Sequence, residues 1–157
     1  FGEVFVVPEP EIEKDLGLIV GIDGQKMSKS YGNDLPIFGP AKKLRKKVMS
    51  IVTDSTAIEE PKNPDTALFH LYALFLNDAE KGELRTRFET PGMRYGDIKL
   101  EFYEKLREFF DPYREKHEEL TARPDDVRDI LKMGANKASA VARGYLDKAR
   151  DACGLTY

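Results

Sequence analysis

The chain holds 157 residues, 41% of them apolar with nine Phe and seven Tyr, enough for one packed domain or for one domain plus a remnant of another. Its single cysteine, Cys153, excludes an internal disulfide, and no run of about 18 apolar residues offers a membrane span. The net charge of −3 divides into −4 over residues 1–38 (seven acidic, three basic) and +1 over residues 39–157 (21 acidic, 22 basic), so any RNA contact must come from a local patch rather than from a strongly basic domain.

Val4-Phe5-Val6-Val7 is a short β-branched and aromatic run stopped by Pro8 and Pro10, and Leu18-Ile19-Val20 is a second, bounded by Gly17 and Gly21. Both read as strands feeding a loop, as at the end of a parallel α/β sheet, where ligands sit beyond the carboxyl ends of strands. The loop is Gly21-Ile22-Asp23-Gly24 followed by Lys26-Met27-Ser28-Lys29-Ser30. Its glycines permit positive φ, its lysines meet phosphate as point charges, and Ser28 and Ser30 can donate hydrogen bonds, so it is suited to closing on a polyphosphate. By composition alone it suits a solvated surface turn as well. Gly17 and Gly21 have the spacing of neither a Walker loop nor a dinucleotide fingerprint.

From Gly39-Pro40 the period becomes helical. Leu44, Val48, Ile51 and Val52 fall on one face of a first helix, with Lys42, Lys43, Arg45, Lys46 and Lys47 around it as a solvated back or a basic patch. Asn63 can cap a helix from Pro64 whose Leu68, Leu71, Tyr72, Leu74 and Phe75 imply deep burial, with His70 as a packed core or interface histidine rather than a ligand. Leu84 and Phe88 mark a shorter helix ended by Pro91-Gly92. Asp97 can cap the longest, where Ile98, Phe102, Leu106, Phe109 and Tyr113 form a stripe read as core and Pro112 is expected to bend the axis. Pairs such as Glu101 with Lys105 and Glu104 with Arg107 read as solvated ion pairs. Pro124 opens a last helix in which Gly134 and Gly144 permit close helix approach, and Gly154 suits its end. No residues are spaced for a hydrolytic triad or a protein-held metal.

Lys26 to Ser30 spells the KMSKS signature of class I aminoacyl-tRNA synthetases without mismatch. Asp23-Gly24-Gln25 before it and Tyr31-Gly32-Asn33 behind it resemble the tryptophanyl-tRNA synthetases. So do Ser50-Ile51-Val52-Thr53-Asp54-Ser55, Pro61-Lys62-Asn63-Pro64-Asp65, Tyr95-Gly96 with Lys99, Gly134-Ala135-Asn136-Lys137-Ala138 and Gly154-Leu155. The resemblance runs from about Phe1 to Leu155. The second signature of the class, a His-x-Gly-His type tetrapeptide, is begun by neither His70-Leu71 nor His117-Glu118, so the chain, which opens on Phe1, is expected to be the C-terminal half of a synthetase.

That resemblance implies a mostly α fold: residues 1–38 as the end of a Rossmann-like nucleotide-binding domain with the KMSKS loop, and residues 39–157 as a helical tRNA anticodon-binding domain. It implies a cytoplasmic, homodimeric enzyme that activates L-tryptophan with ATP and passes it to tryptophan tRNA, with magnesium travelling on ATP and the tryptophan pocket in the other half. By resemblance Lys26 and Lys29 neutralise charge on the β- and γ-phosphates, Ser28 and Ser30 hold the loop closed, Met27 packs beneath it, and the backbone of Ile19 and Val20 borders the adenine. Asp23 is a turn former or a partner for one lysine, and Asp34 has no assigned role. The fragment alone is expected to be inactive. The rival readings are a tyrosine-type synthetase and a non-catalytic helical RNA-binding module.

Overall fold

The computed structural model describes residues 1–12 and 17–155. Five helices run α1 (Ala41–Met49), α2 (Ala67–Ala73), α3 (Asp78–Glu89), α4 (Tyr95–Thr121) and α5 (Pro124–Ala152), and the described residues contain no strand. The chain divides into two compact units, Glu13–Lys116 and Phe1–Ile12 with His117–Tyr157, and α4 passes through the boundary between them.

In the unit Glu13–Lys116, α1 buries Leu44 and Val48, and Ile51 follows them into the interior at 1% exposure. Val52, expected on the same face, is exposed. The helix stops at Met49, and the chain beyond it is held by the Val52 N–H donating to the Ile22 carbonyl at 2.8 Å. Asn63 is not the cap of the next helix. Its side chain closes a local turn on the Asp65 N–H at 2.8 Å, while Thr66 caps α2 from the Phe69 N–H. Helix α2 buries Ala67, Leu68, Phe69 and Leu71, but Leu74 is exposed. His70 is exposed too, its Nε2 lying 2.6 Å from Asp65 Oδ1, so of the two readings the core one fails and His70 is a surface residue of this chain.

Helix α3 opens on a reciprocal capping box: Asn77 accepts from the Glu80 N–H at 3.0 Å and Glu80 accepts from the Asn77 N–H at 2.8 Å. It buries Leu84 and Phe88 as expected. Helix α4 begins at Tyr95, ahead of the anticipated Asp97 cap, and continues through Pro112. Ile98, Phe102 and Leu106 enter the core, but Phe109 and Tyr113 are exposed and stack by their edges and faces with Phe75 and Phe110. The stripe is therefore core over its first half and a surface aromatic cluster over its second. Glu101 pairs bidentately with Arg87 of α3 instead of Lys105, and Arg107 pairs with Asp111, its i,i+4 neighbour, instead of Glu104.

In the unit Phe1–Ile12 with His117–Tyr157, Pro124 occupies the first turn of α5 as expected, and no residue of this helix is buried. Among the described residues a side chain added at Gly134 or Gly144 would meet open space, so the close approach that these glycines permit is not used there. The run Val4 to Val7 forms no strand, and Leu18 to Val20 contributes one isolated bridge, Val20 to Lys26. A strand persists only where a neighbour satisfies its backbone, and the described residues supply no partner strand to either run. The mostly helical chain is as expected; the strands are not.

Candidate nucleotide-binding loop

The segment around Lys26 is a tight turn followed by a single 3-10 turn. Ile19-Val20 and Lys26-Met27 run antiparallel, bridged by the Met27 N–H donating to the Ile19 carbonyl at 2.9 Å. The Gly21 N–H closes the turn on the Gln25 carbonyl at 2.6 Å, and Gly24 takes φ +81°, which a β-carbon would disfavour. Asp23 Oδ1 accepts from the Gln25 N–H at 3.0 Å, so of its two readings the structure selects the turn former.

Ser28 then caps the 3-10 turn Lys29–Tyr31. Its Oγ accepts from the Ser30 N–H at 3.3 Å and lies 2.7 Å from Ser30 Oγ. Gly32 ends the turn in the left-handed conformation, its N–H donating to the Lys29 carbonyl. The two hydroxyls singled out in the sequence thus bind each other and hold the turn that carries Lys29.

What fixes this loop is Asn33, which composition and motif left without a role. It is 3% exposed. Its Oδ1 accepts from the Ser28 N–H at 2.8 Å, and its Nδ2 donates to Asp23 Oδ1 at 2.8 Å and to the Lys26 carbonyl at 3.1 Å. The backbone N–H of Ile22 donates to the Asn33 carbonyl at 2.9 Å. The amide, assisted by the Gln25 N–H and opposed by desolvation, holds the Asp23 carboxyl below the usual carboxylate range. Lys47 of α1 also reaches the loop, its Nζ donating to the Gly32 carbonyl, so one member of the basic run serves as an anchor. No sequence pattern pointed to that lysine over its neighbours.

Lys26, Lys29 and Ser30 are exposed, Ser28 is half-buried, and among the described residues neither lysine is tied in an ion pair. Met27 is half-buried and packs against the apolar core with Val20, Ile22 and Leu35. Ile19 and Val20 line a different feature, a cavity of about 440 Å³ shared with His70, Leu71 and Leu74 of the α2 region and Lys81 of α3. Asp34 is half-buried and belongs to no hydrogen bond described in the loop. The arrangement presents two exposed ammonium groups on a backbone held from inside, a form suited to an anionic oxygen-rich ligand. Among the described residues no group of His, Cys, Asp and Glu could hold a metal ion, and no helix is long and apolar enough to cross a membrane.

Residues 1–111 match the model of the family described as tRNA synthetases class I (W and Y). The chain belongs to that family. Among proteins similar to this synthetase chain, a tryptophan–tRNA ligase of Rhodopirellula baltica is 48% identical over 156 residues, covering 99% of this chain and 49% of that protein. One of Fusobacterium nucleatum is 46% identical over 153 residues, covering 98% and 47%. The crystal structure of tryptophanyl-tRNA synthetase from Campylobacter jejuni complexed with ADP and tryptophan superposes with a TM-score of 0.82 at 40% identity, over 98% of this chain and 49% of that one. The chain spans about half the length of the curated relatives it matches.

Proposed function

We propose that this synthetase chain carries the ATP loop of a tryptophan–tRNA ligase, and that Lys26 to Ser30 is that loop. The observation that carries the reading is the presentation of Lys26 and Lys29 on an internally clasped turn, in a chain whose relatives bear the name tryptophan–tRNA ligase. In the reaction of the complete protein the tryptophan carboxylate attacks the α-phosphorus of ATP, the bond from that phosphorus to the bridging oxygen breaks, and pyrophosphate leaves. A hydroxyl of the terminal adenosine of tryptophan tRNA then attacks the carbonyl carbon of the adenylate, the bond from that carbon to the phosphate oxygen breaks, and AMP leaves. Little of this asks for covalent chemistry by the protein. Orientation and compensation of charge on the departing phosphates supply the catalysis.

Lys26 and Lys29 neutralise the developing charge, Ser28 and Ser30 keep the turn closed, Met27 seats the loop on the core, and the backbone of Ile19 and Val20 borders the adenine. Magnesium arrives with ATP as part of the substrate. In this reading residues 1–38 serve the nucleotide and residues 39–157 serve the tRNA, a division of roles rather than of packing. The enzyme acts as a cytoplasmic homodimer, and the tryptophan pocket lies in the part of the relatives that this chain does not span.

The test is tryptophan-dependent ATP–pyrophosphate exchange by the complete gene product. Lys29→Ala is expected to slow it at least tenfold, about 1.4 kcal/mol of transition-state stabilisation. A rate within twofold of the parent removes Lys29 from the catalytic assignment, and exchange driven by tyrosine in place of tryptophan makes the protein the tyrosine type.

A further inference from the structure

The peptide run between the two signature lysines is gripped at both ends by one side chain. Asn33 Nδ2 donates to the carbonyl of Lys26, Asn33 Oδ1 accepts from the N–H of Ser28, and Met27 lies between. The remaining Nδ2 hydrogen goes to Asp23 Oδ1, so both hydrogens and the carbonyl oxygen of the amide are used. Only a short amide fits this demand for two donors and one acceptor in one plane. An aspartate offers acceptors alone when ionised, and a serine offers a single donor. The site is also shaped for it. Gly21 has no side chain, and a β-carbon built there would lie 2.4 Å from both Asn33 Cγ and Asn33 Nδ2.

We propose that Asn33 is a positioning residue for the ATP step: by fixing the backbone from Lys26 to Ser28 it sets where the two ammonium groups stand relative to one triphosphate. The proposal rests on the reading of Lys26 to Ser30 as the ATP loop. Each lysine side chain is long and exposed, so its rotamers cannot define the spacing of the pair; the backbone that separates them can. Without the clasp that segment must be ordered when ATP binds and reacts, and the cost falls on the adenylate-forming step. Asn33 touches no substrate atom in this account. It acts through Lys26 and Lys29, and its removal should therefore be felt in kcat and in the ATP KM, not in the tryptophan KM.

The experiment is ATP–pyrophosphate exchange by the complete gene product with Asn33→Ala, Lys29→Ala and the double variant, measured beside thermal unfolding. Asn33→Ala is expected to lower kcat/KM for ATP at least tenfold with the tryptophan KM within twofold of the parent. In the Lys29→Ala background the same substitution should cost less than threefold, because one of the pair whose spacing it sets is gone. Gly21→Ala, which displaces the amide without altering it, should reproduce the kinetics of Asn33→Ala, and it carries the test if Asn33→Ala does not fold. Full activity of Asn33→Ala or of Gly21→Ala beside an impaired Lys29→Ala overturns the proposal and leaves the ATP-loop reading standing. Losses that multiply in full in the double variant assign Asn33 to general stability and overturn it as well. Full activity of Lys29→Ala overturns the ATP-loop reading itself.

Discussion

Lys62 and Lys99 are 3% and 9% exposed, and each directs its ammonium to backbone carbonyls. Lys99 Nζ donates to the carbonyl of Ile51 at 2.6 Å and of Met49 at 3.3 Å, at the end of α1, where the helix leaves acceptors unsatisfied. Burial pushes its pKa down from the ordinary lysine value. Lys62 Nζ donates to Ala57 and Glu60 and lies 5.4 Å from the centre of the Tyr95 ring. Tyr95 in turn donates its hydroxyl to Asp54 Oδ1 at 2.9 Å, and the same oxygen accepts from the Thr56 N–H at 3.0 Å. These contacts staple the segment after α1 onto the start of α4. Tyr95→Phe is expected to lower the unfolding free energy at neutral pH by about 1 kcal/mol in urea titrations, the ordinary worth of one such bond; no change would mean that solvent competes fully for it. Bonds from Thr56, then Tyr95 and the charge of Lys62, hold the Asp54 carboxyl below its usual value despite some desolvation. A depressed carboxylate stabilises above its unfolded pKa of about 4, and that contribution is lost as the pH falls through the lower folded value. Asp54→Asn should therefore lose less stability than the parent between neutral pH and acid. The sign reverses for Tyr95, whose pKa burial and Asp54 raise: its contribution is present below the ordinary tyrosine value and lost as the pH rises.

At the scale of elements, α3 shows how much a terminus can carry. Its capping box at Asn77 and Glu80 satisfies two end donors, and the helix so started delivers Leu84 and Phe88 to the core at 3% and 0% exposure. Asn77→Ala is expected to cost about 1 kcal/mol, with Asn77→Gly milder by most of that; equal losses in thermal unfolding would place the effect in packing instead of the cap. That helix was readable from Leu84, Phe88 and Pro91-Gly92, because each signal acts within a few residues. Thr66 was not readable as the cap of α2, since Asn63 offers the same chemistry three residues earlier and only the tertiary path of the chain decides between them. Phe109 and Tyr113 kept the spacing of a core stripe although the core ends at Leu106; periodicity gives a face, not the length over which something covers it. In the loop, Lys26, Ser28, Lys29 and Ser30 were legible through a contiguous signature. Asn33 and Gly21 as partners were not, because their relation is a close approach in space across twelve residues of chain.

The whole molecule is close to neutral outside its first 38 residues, and under the proposed function its hold on tRNA must come from exposed cations taken singly. The structure sorts them. Lys42, Lys43, Arg45 and Lys46 of α1 are exposed, whereas Lys47 is engaged with the Gly32 carbonyl. Arg87 is held bidentately by Glu101, and the strong hydrogen bonds of that carboxylate raise its pKa further, so it is a poor candidate for reading a base. Arg94, Lys132 and Lys137 remain exposed beyond it. Phosphate contacts carry affinity without sequence information, while anticodon bases are read singly by hydrogen bonding and stacking. Lys42→Gln with Lys46→Gln should then weaken binding to tryptophan tRNA and to an anticodon-swapped tRNA alike. Each lost contact should lower the steepness of log K against log salt by about 0.7 to 0.9, so the pair should flatten it by roughly 1.5. Lys47→Gln should behave differently, slowing ATP–pyrophosphate exchange through the loop while changing the salt slope less than either exposed lysine. If the Lys42 and Lys46 pair abolished discrimination between the two tRNAs and left the slope unchanged, α1 would be reading the anticodon and the division between phosphate affinity and base preference would be wrong.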